Sequence, residues 1–155
     1  MSIPSGENGL LDGELDAICR RRGGRMTRQR RAVLTKLLAA RSPLSAYDLL
    51  DQLRLADSSA TPAGVYRCLD FLLKVGLAHR LETTRSFIAC EHPDRPHDVQ
   101  FLICRQCGAV IEVEDVMFAT AAETLGQRFG FALDRQIIEI KGLCATCKAQ
   151  LGPSQ

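Results

Sequence analysis

The 155-residue sequence predicts an α+β chain in two parts: four helices and a β-hairpin, followed by a smaller α/β domain. Three observations carry this. Apolar residues recur at helical spacing up to Gly76, and beyond Gly76 the period shortens toward that of strands. Two Cys-x-x-Cys pairs, Cys104/Cys107 and Cys144/Cys147, bracket most of the rear part.

The elements follow in order. Residues 1–9 read as a frayed, flexible N-terminus. Leu10, Leu11, Leu15 and Ile18 mark a helix from about Leu10 to Arg22, which Gly23-Gly24 ends. Thr27 caps the next helix, with Val33, Leu34, Leu37 and Leu38 on one face, and Ser42-Pro43 breaks it. Ser45 caps a third helix carrying Tyr47, Leu49, Leu50 and Leu53. After a polar turn at Ala56–Ala60, Thr61-Pro62 opens a fourth, with proline at the first position, where its missing N–H costs nothing. Val65, Leu69, Leu72 and Leu73 form its buried stripe. Leu77–Leu81 and Ser86–Cys90 read as strands around a turn at Glu82–Arg85. Four helices and this hairpin make a winged helix-turn-helix over residues 10–90.

Glu91–Asp98 is a Pro- and His-containing linker, taken as the domain boundary. The second domain then spans residues 99–155. Val99–Cys104 and Ala109–Glu112 read as strands, Asp115–Arg128 as a helix with Met117, Ala121 and Leu125 inward, and Phe131–Ile140 as a long alternating strand. The second Cys pair and a short Gly/Pro tail close the chain.

Composition narrows the function. At 46% hydrophobic and 25% charged residues the chain is globular. No apolar run approaches the roughly 18 residues of a membrane-spanning helix, and the N-terminus lacks the basic and apolar regions of a secretory signal. A cytoplasmic protein with no membrane partner is expected. The net charge of +2 hides an asymmetry. Before residue 85 there are thirteen Lys/Arg against nine Asp/Glu; from there on, seven against nine. Arg20, Arg21, Arg22, Arg25, Arg28, Arg30 and Arg31 crowd one stretch. A polyanion partner for the front part is one reading, a solvated basic surface the other.

Seven cysteines in a cytosolic chain point to metal before disulfides. Two Cys-x-x-Cys knuckles offer the four thiolates that a closed, tetrahedral structural zinc site needs, at Cys104, Cys107, Cys144 and Cys147. The rival is a thioredoxin-like redox pair. A second, looser set gathers near the domain boundary: His79, Cys90, His92, His97 and Glu112. Two imidazoles, one thiolate and one carboxylate would make a second four-coordinate zinc site. The plain alternative is that these histidines only pack or face solvent. In the fourth helix, Tyr66 and Arg67 fall where a recognition helix meets DNA: Arg suits guanine, Tyr a sugar, methyl or phosphate. Arg28, Arg30, Arg31 and Tyr47 are candidates for phosphate contacts. The alternative there is an exposed polar helix face.

These residues together resemble the ferric uptake regulator (Fur) family, and within it the zinc uptake regulators, over roughly residues 10–150. The motifs are Arg25-Met-Thr-Arg-Gln-Arg30, Ser45-Ala-Tyr-Asp-Leu-Leu50, Val65-Tyr-Arg67 with Asp70-Phe-Leu-Leu73, His79 with Cys90, Cys104-Arg-Gln-Cys-Gly-Ala-Val110 and Gly142-Leu-Cys-Ala-Thr-Cys147. The resemblance implies a dimeric repressor with an N-terminal winged helix and a C-terminal dimerisation domain. It implies two zinc ions per chain: a structural one on Cys104, Cys107, Cys144 and Cys147, and a regulatory one on His79, Cys90, His97 and Glu112. Tyr47, Tyr66 and Arg67 match DNA-contacting positions, and the arginines, among them Arg28 and Arg31, match more loosely. Where iron and manganese members have a His-rich run, this chain has Val99 and Phe101, which cannot ligate, and the thiolate of Cys90 favours zinc.

Three positions depart from the family pattern. Arg28 stands where a proline is usual, Gly64 where Thr or Ser is usual, and His92 competes with His97 as a ligand. The expectation is a zinc-responsive repressor of zinc-uptake genes that binds a palindromic operator as a homodimer. A DNA-binding protein with structural zinc only and a thiol redox protein are the alternatives. No Ser-His-Asp order, phosphate loop or His-Glu-x-x-His suggests an enzyme or a small-molecule substrate.

Overall fold

The computed structural model describes residues 12–95, 97–134 and 137–150. Leu10, Leu11, the expected frayed start and the Gly/Pro tail lie outside these residues. Two compact units divide the chain, meeting in sequence at Arg95 and Pro96.

The first unit runs α1 (Asp12–Arg21), α2 (Arg28–Ala39), α3 (Ala46–Arg54), α4 (Pro62–Lys74), β1 (Ala78–Leu81) and β2 (Ser86–Ala89). Its helix starts are set locally by hydroxyl caps. Thr27 Oγ1 accepts from the Arg30 N–H at 3.3 Å and Thr61 Oγ1 from the Gly64 N–H at 3.1 Å. Ser45 and Asp48 form a reciprocal capping box at 3.1 and 2.9 Å. Because these caps fix the phase of each helix, Leu34, Leu37, Leu49, Leu69 and Leu72 turn inward to one core with Leu15, Ile18, Leu77 and Phe87. Leu38, expected on the buried face of α2, is exposed. The hairpin pairs Ala78 with Ala89 through Leu81 with Ser86. Leu44, just before α3, adds a further rung by exchanging both backbone bonds with Phe87, at 3.0 and 2.8 Å.

The second unit runs β3 (Val99–Cys104), β4 (Val110–Val113), α5 (Val116–Phe129), β5 (Ile137–Gly142) and α6 (Ala145–Gln150). β3 is the middle strand, antiparallel to β4 and parallel to β5. The parallel register runs from Val99 beside Ile137 to Cys104 beside Gly142. The return strand therefore ends where the first Cys pair begins, and this delivers the second Cys pair to the first.

Three expectations are corrected here. Of the strand expected over Phe131–Ile140, Phe131–Asp134 are not strand, Arg135 and Gln136 lie outside the described residues, and β5 runs Ile137–Gly142. Gly130 takes a left-handed φ of 65° and the Phe131 N–H closes on the Gly126 carbonyl at 2.8 Å, so the next residues make the helix exit instead. Met117, Ala121 and Leu125 are exposed, not inward. α5 is apolar on more than one face, and its period alone does not say which face is covered. The buried contact is Gly126, where a Cβ would meet the Phe131 carbonyl at 3.0 Å and Leu133 at 3.2 Å. Finally, the second Cys pair runs directly into α6, a short helix whose sequence has no apolar period to announce it.

Candidate metal centre and nucleic-acid interface

Cys104 ends β3, Cys107 follows in the turn before β4, Cys144 follows β5 and Cys147 lies in α6. Their four Sγ atoms all lie within 4.8 Å of one another. The Cys107 and Cys144 sulfurs are 3.8 Å apart. A tetrahedral zinc with bonds of about 2.3 Å needs sulfur–sulfur edges of about 3.8 Å, so the donor set fits the ion in number, chemistry and spacing. Backbone N–H groups converge on the sulfurs. The Cys144 N–H donates to Cys104 Sγ at 3.3 Å and the Cys147 N–H to Cys144 Sγ at 3.5 Å. Those from Cys144, then Cys107, pull the Cys104 thiol down to about 6, so a thiolate stands ready near neutral pH. Cys147 is pushed up to about 12, by burial first and then by the neighbouring sulfurs. Thiols this close resist a second and third ionisation until a cation joins them.

The other candidate ligands occupy one pair in each unit. In the first unit, His79 pairs with Ile88 across the hairpin, and the Cys90 N–H reaches the Leu77 carbonyl at 3.0 Å. His79 and Cys90 are thus diagonal neighbours on one face of the ribbon. Both are buried, with ligand atoms within 4.8 Å of each other. In the second unit, Glu112 on β4 stands opposite Phe101. Its Oε1 meets His97 Nε2 at 2.9 Å, and both side chains are almost fully buried. His92 is exposed.

On the first unit, Tyr47 projects from the first turn of α3 and is 70% exposed, and Tyr66 projects from α4 and is 47% exposed. Arg67 beside it and Arg28 at the start of α2 are exposed as well. Arg31 differs: its Nη2 is bonded to Asp16 Oδ1 at 2.8 Å. Cys19 and Cys68 are buried, and burial raises their thiols, so both behave as small core residues.

Two features were missed in sequence. One is α6, which carries Cys147. The other is Gln100, buried on β3, whose Oε1 accepts from the backbone N–H of Asp115, the N-cap of α5, at 2.8 Å. The available signal was a lone amide inside the apolar run Val99–Ile103.

A winged helix-turn-helix joined to a small sheet with a four-thiol cluster defines a class of metal-binding, helix-turn-helix proteins. Within that class the chain belongs to the ferric uptake regulator family, whose model matches residues 21–141. The zinc uptake regulation protein of Escherichia coli K12 is 44% identical over 143 residues, covering 88% of this chain and 81% of the relative. That of Mycobacterium tuberculosis is 33% identical over 130 residues, covering 82% and 97%. Among solved structures, a zinc uptake regulator complexed with zinc and DNA superposes with a TM-score of 0.84 at 40% identity, covering 92% of this chain and 95% of the other.

Proposed function

We propose that the chain is a zinc-responsive transcriptional repressor: a cytoplasmic homodimer that binds a palindromic operator when regulatory zinc is present and controls zinc-uptake genes. The observation that carries the zinc response is a buried pair of zinc-type donors in each unit. His79 and Cys90 form a buried pair in the first, His97 and Glu112 in the second. The similar proteins, zinc uptake regulators and one such regulator with zinc and DNA, point the same way.

Residues 10–90 form the DNA-binding domain, 91–98 the hinge and 99–155 the dimerisation domain. Cys104, Cys107, Cys144 and Cys147 hold a structural zinc. His79, Cys90, His97 and Glu112 hold the regulatory one, His97 being preferred to His92 because it is already seated on Glu112. Bound there, zinc would supply a divalent charge that two imidazoles, a thiolate and a carboxylate can share. The thiolate and imidazoles select zinc over iron, and Val99 and Phe101, both fully buried, add no ligand. Four protein donors leave no open position for a substrate, which suits a regulator rather than an enzyme. Phe118, Leu125 and Phe129 on one face of α5, and Val116 and Met117 at its start, are exposed, and a second copy of the chain covers them.

In this dimer, joining the two donor pairs fixes the spacing of the two α4 helices. Tyr66 and Arg67 then meet successive major grooves, while Tyr47, Arg28 and Arg31 meet phosphates. Zinc and DNA tighten each other's binding by the same factor.

The test is zinc per chain before and after mild chelation, for wild type and Cys90→Ser. Wild type falls from about two to about one, and Cys90→Ser starts near one. If both proteins hold a single zinc that mild chelation leaves in place, the regulatory site is wrong, and a DNA-binding protein with structural zinc only replaces this reading. Absence of zinc from the four-cysteine cluster would favour thiol redox chemistry instead.

A further inference from the structure

Part of the arginine-rich stretch is turned inward, onto the end of α4. The exit of α1 is closed by two backbone bonds, from the Gly23 N–H to the Arg20 carbonyl at 3.2 Å and from the Gly24 N–H to the Cys19 carbonyl at 2.8 Å. The exit of α4 is closed in the same way, from Gly76 to Leu73 at 3.1 Å and from Leu77 to Leu72 at 2.9 Å. The two exits are fastened together. Arg22 Nη1 donates to the carbonyl of Val75, the residue that ends α4, placing a cation at the negative pole of that helix. At Gly76 a Cβ would lie 2.7 Å from the same Nη1.

A second fastening lies one turn back. The guanidinium of Arg30 sits 3.6 Å from the centroid of the Phe71 ring and also donates to the Arg25 carbonyl. Gly24 abuts the ring, where a Cβ would come within 2.5 Å of Phe71 Cε2. The last turn of α4 is therefore gripped by the α1–α2 loop and by Arg30. Phe71 is one helical turn from Arg67 and less than two from Tyr66. A change in tilt at the gripped end moves both, and readout of base edges tolerates only about 0.5 Å of misplacement.

We propose that Arg22 and Arg30 are positioning residues for DNA recognition. Through Val75 and Phe71 they fix the tilt of α4 and hence where Tyr66 and Arg67 meet the groove, without touching DNA themselves. This rests on α4 being the recognition helix.

The experiment uses zinc-loaded full-length protein and two duplexes across a salt series: one selected by wild type from a randomised pool, and a scrambled control. Arg30→Gln, Arg22→Gln and Phe71→Leu each lower affinity for the selected duplex about tenfold. Affinity for the scrambled duplex and the salt slope stay at wild-type values. Arg30→Lys, which keeps a cation over the ring, recovers most of the loss. The double variant Arg30→Gln/Phe71→Leu is no worse than the poorer single variant, because both act through one contact. Phe71→Leu and Arg30→Lys keep the test open should a glutamine variant fold poorly.

Two results overturn the inference. In one, Arg30→Gln weakens both duplexes together and the salt slope drops by about one, which marks a phosphate contact. In the other, thermal stability falls while the ratio of selected to scrambled affinity is unchanged, which marks a purely structural role. Arg67→Ala is measured alongside. If that variant binds the selected duplex as wild type does, the recognition-helix reading itself falls and takes the inference with it.

Discussion

The N-terminal unit and the C-terminal unit spend their apolar side chains differently. In the first, leucines from α2, α3 and α4 meet side chains of α1 and the hairpin in one cluster that runs from Leu15 to Ala89. In the second, Val99, Phe101 and Ile103 are buried along β3, but Val116, Met117, Phe129 and Phe131 point outward. What ties the second unit together is the close approach of four sulfurs at the ends of β3 and β5. A helical domain of this kind closes on its own core. A three-stranded sheet with one α-helix and one short helix buries little apolar surface alone, and on the proposed function a metal and a second copy supply the rest.

The sharpest way to break that comparison is Cys104→Ser. Structural zinc sites carry roughly 10–16 kcal/mol of apparent binding free energy, which is folding free energy for the unit around them. The variant is expected to lose the tightly held zinc and amide-exchange protection along β3 and β5, while α2, α3 and α4 stay protected. Exchange read by mass spectrometry checks both units in one sample. Equal loss of protection in both would erase the distinction. In wild type, protons compete with the metal for the cysteine sulfurs, so zinc is expected to be released as pH falls.

Leu69→Ala is the complementary change. Leu69 is fully buried in the first unit, and its truncation is expected to cost about 3 kcal/mol through lost burial and an unfilled cavity. Thermal or urea unfolding of the first unit measures it. The zinc content of the four-cysteine site is expected to stay at wild-type level, and a fall there would show that the two units share one stability.

The same contrast explains what was legible in the sequence. Helices α2 to α4 were readable because cap, apolar stripe and stop agree at each: Thr27, Ser45 and Thr61 begin them where hydroxyls are needed, and Gly76 ends the last in a left-handed turn. The cysteine cluster was readable because knuckle spacing is dictated by the ion rather than by the fold. The second unit differs from the sequence reading where its apolar residues are exposed. Met117 and Leu125 look like core residues in sequence because they are apolar at helical spacing, yet both are exposed. The inward contacts of Arg22 and Arg30 were not legible either. An arginine beside other arginines reads as surface charge, and only the approach of Gly24 to Phe71 shows that the segment packs inward. Gln100 is similar: its link to the Asp115 N-cap joins residues fifteen apart, a distance no local pattern reports.

The smallest expected effect compares one cap from each unit. Ser45→Ala removes the hydroxyl that accepts the Asp48 N–H and leaves only the backbone half of the capping box, and Asp115→Ala removes the acceptor that holds the Met117 N–H at 2.8 Å. Each change costs about 1 kcal/mol. The Ser45 hydroxyl, with its backbone N–H, holds the Asp48 carboxyl below its ordinary value, so this part of the first unit's stability is present above pH 3.8 and is lost as pH falls below it. The two changes should register differently. α3 is packed into the common core, so Ser45→Ala is expected to lower the global unfolding free energy of the first unit by its full cost. α5 exposes most of its apolar face, so Asp115→Ala is expected to open mainly the first turn of α5 and leave β3 and β5 protected. Residue-resolved exchange separates the outcomes. Uniform loss across the second unit after Asp115→Ala would mean that α5 is as firmly coupled to its sheet as α3 is to its core, and that metal and partner add less than the exposed face implies.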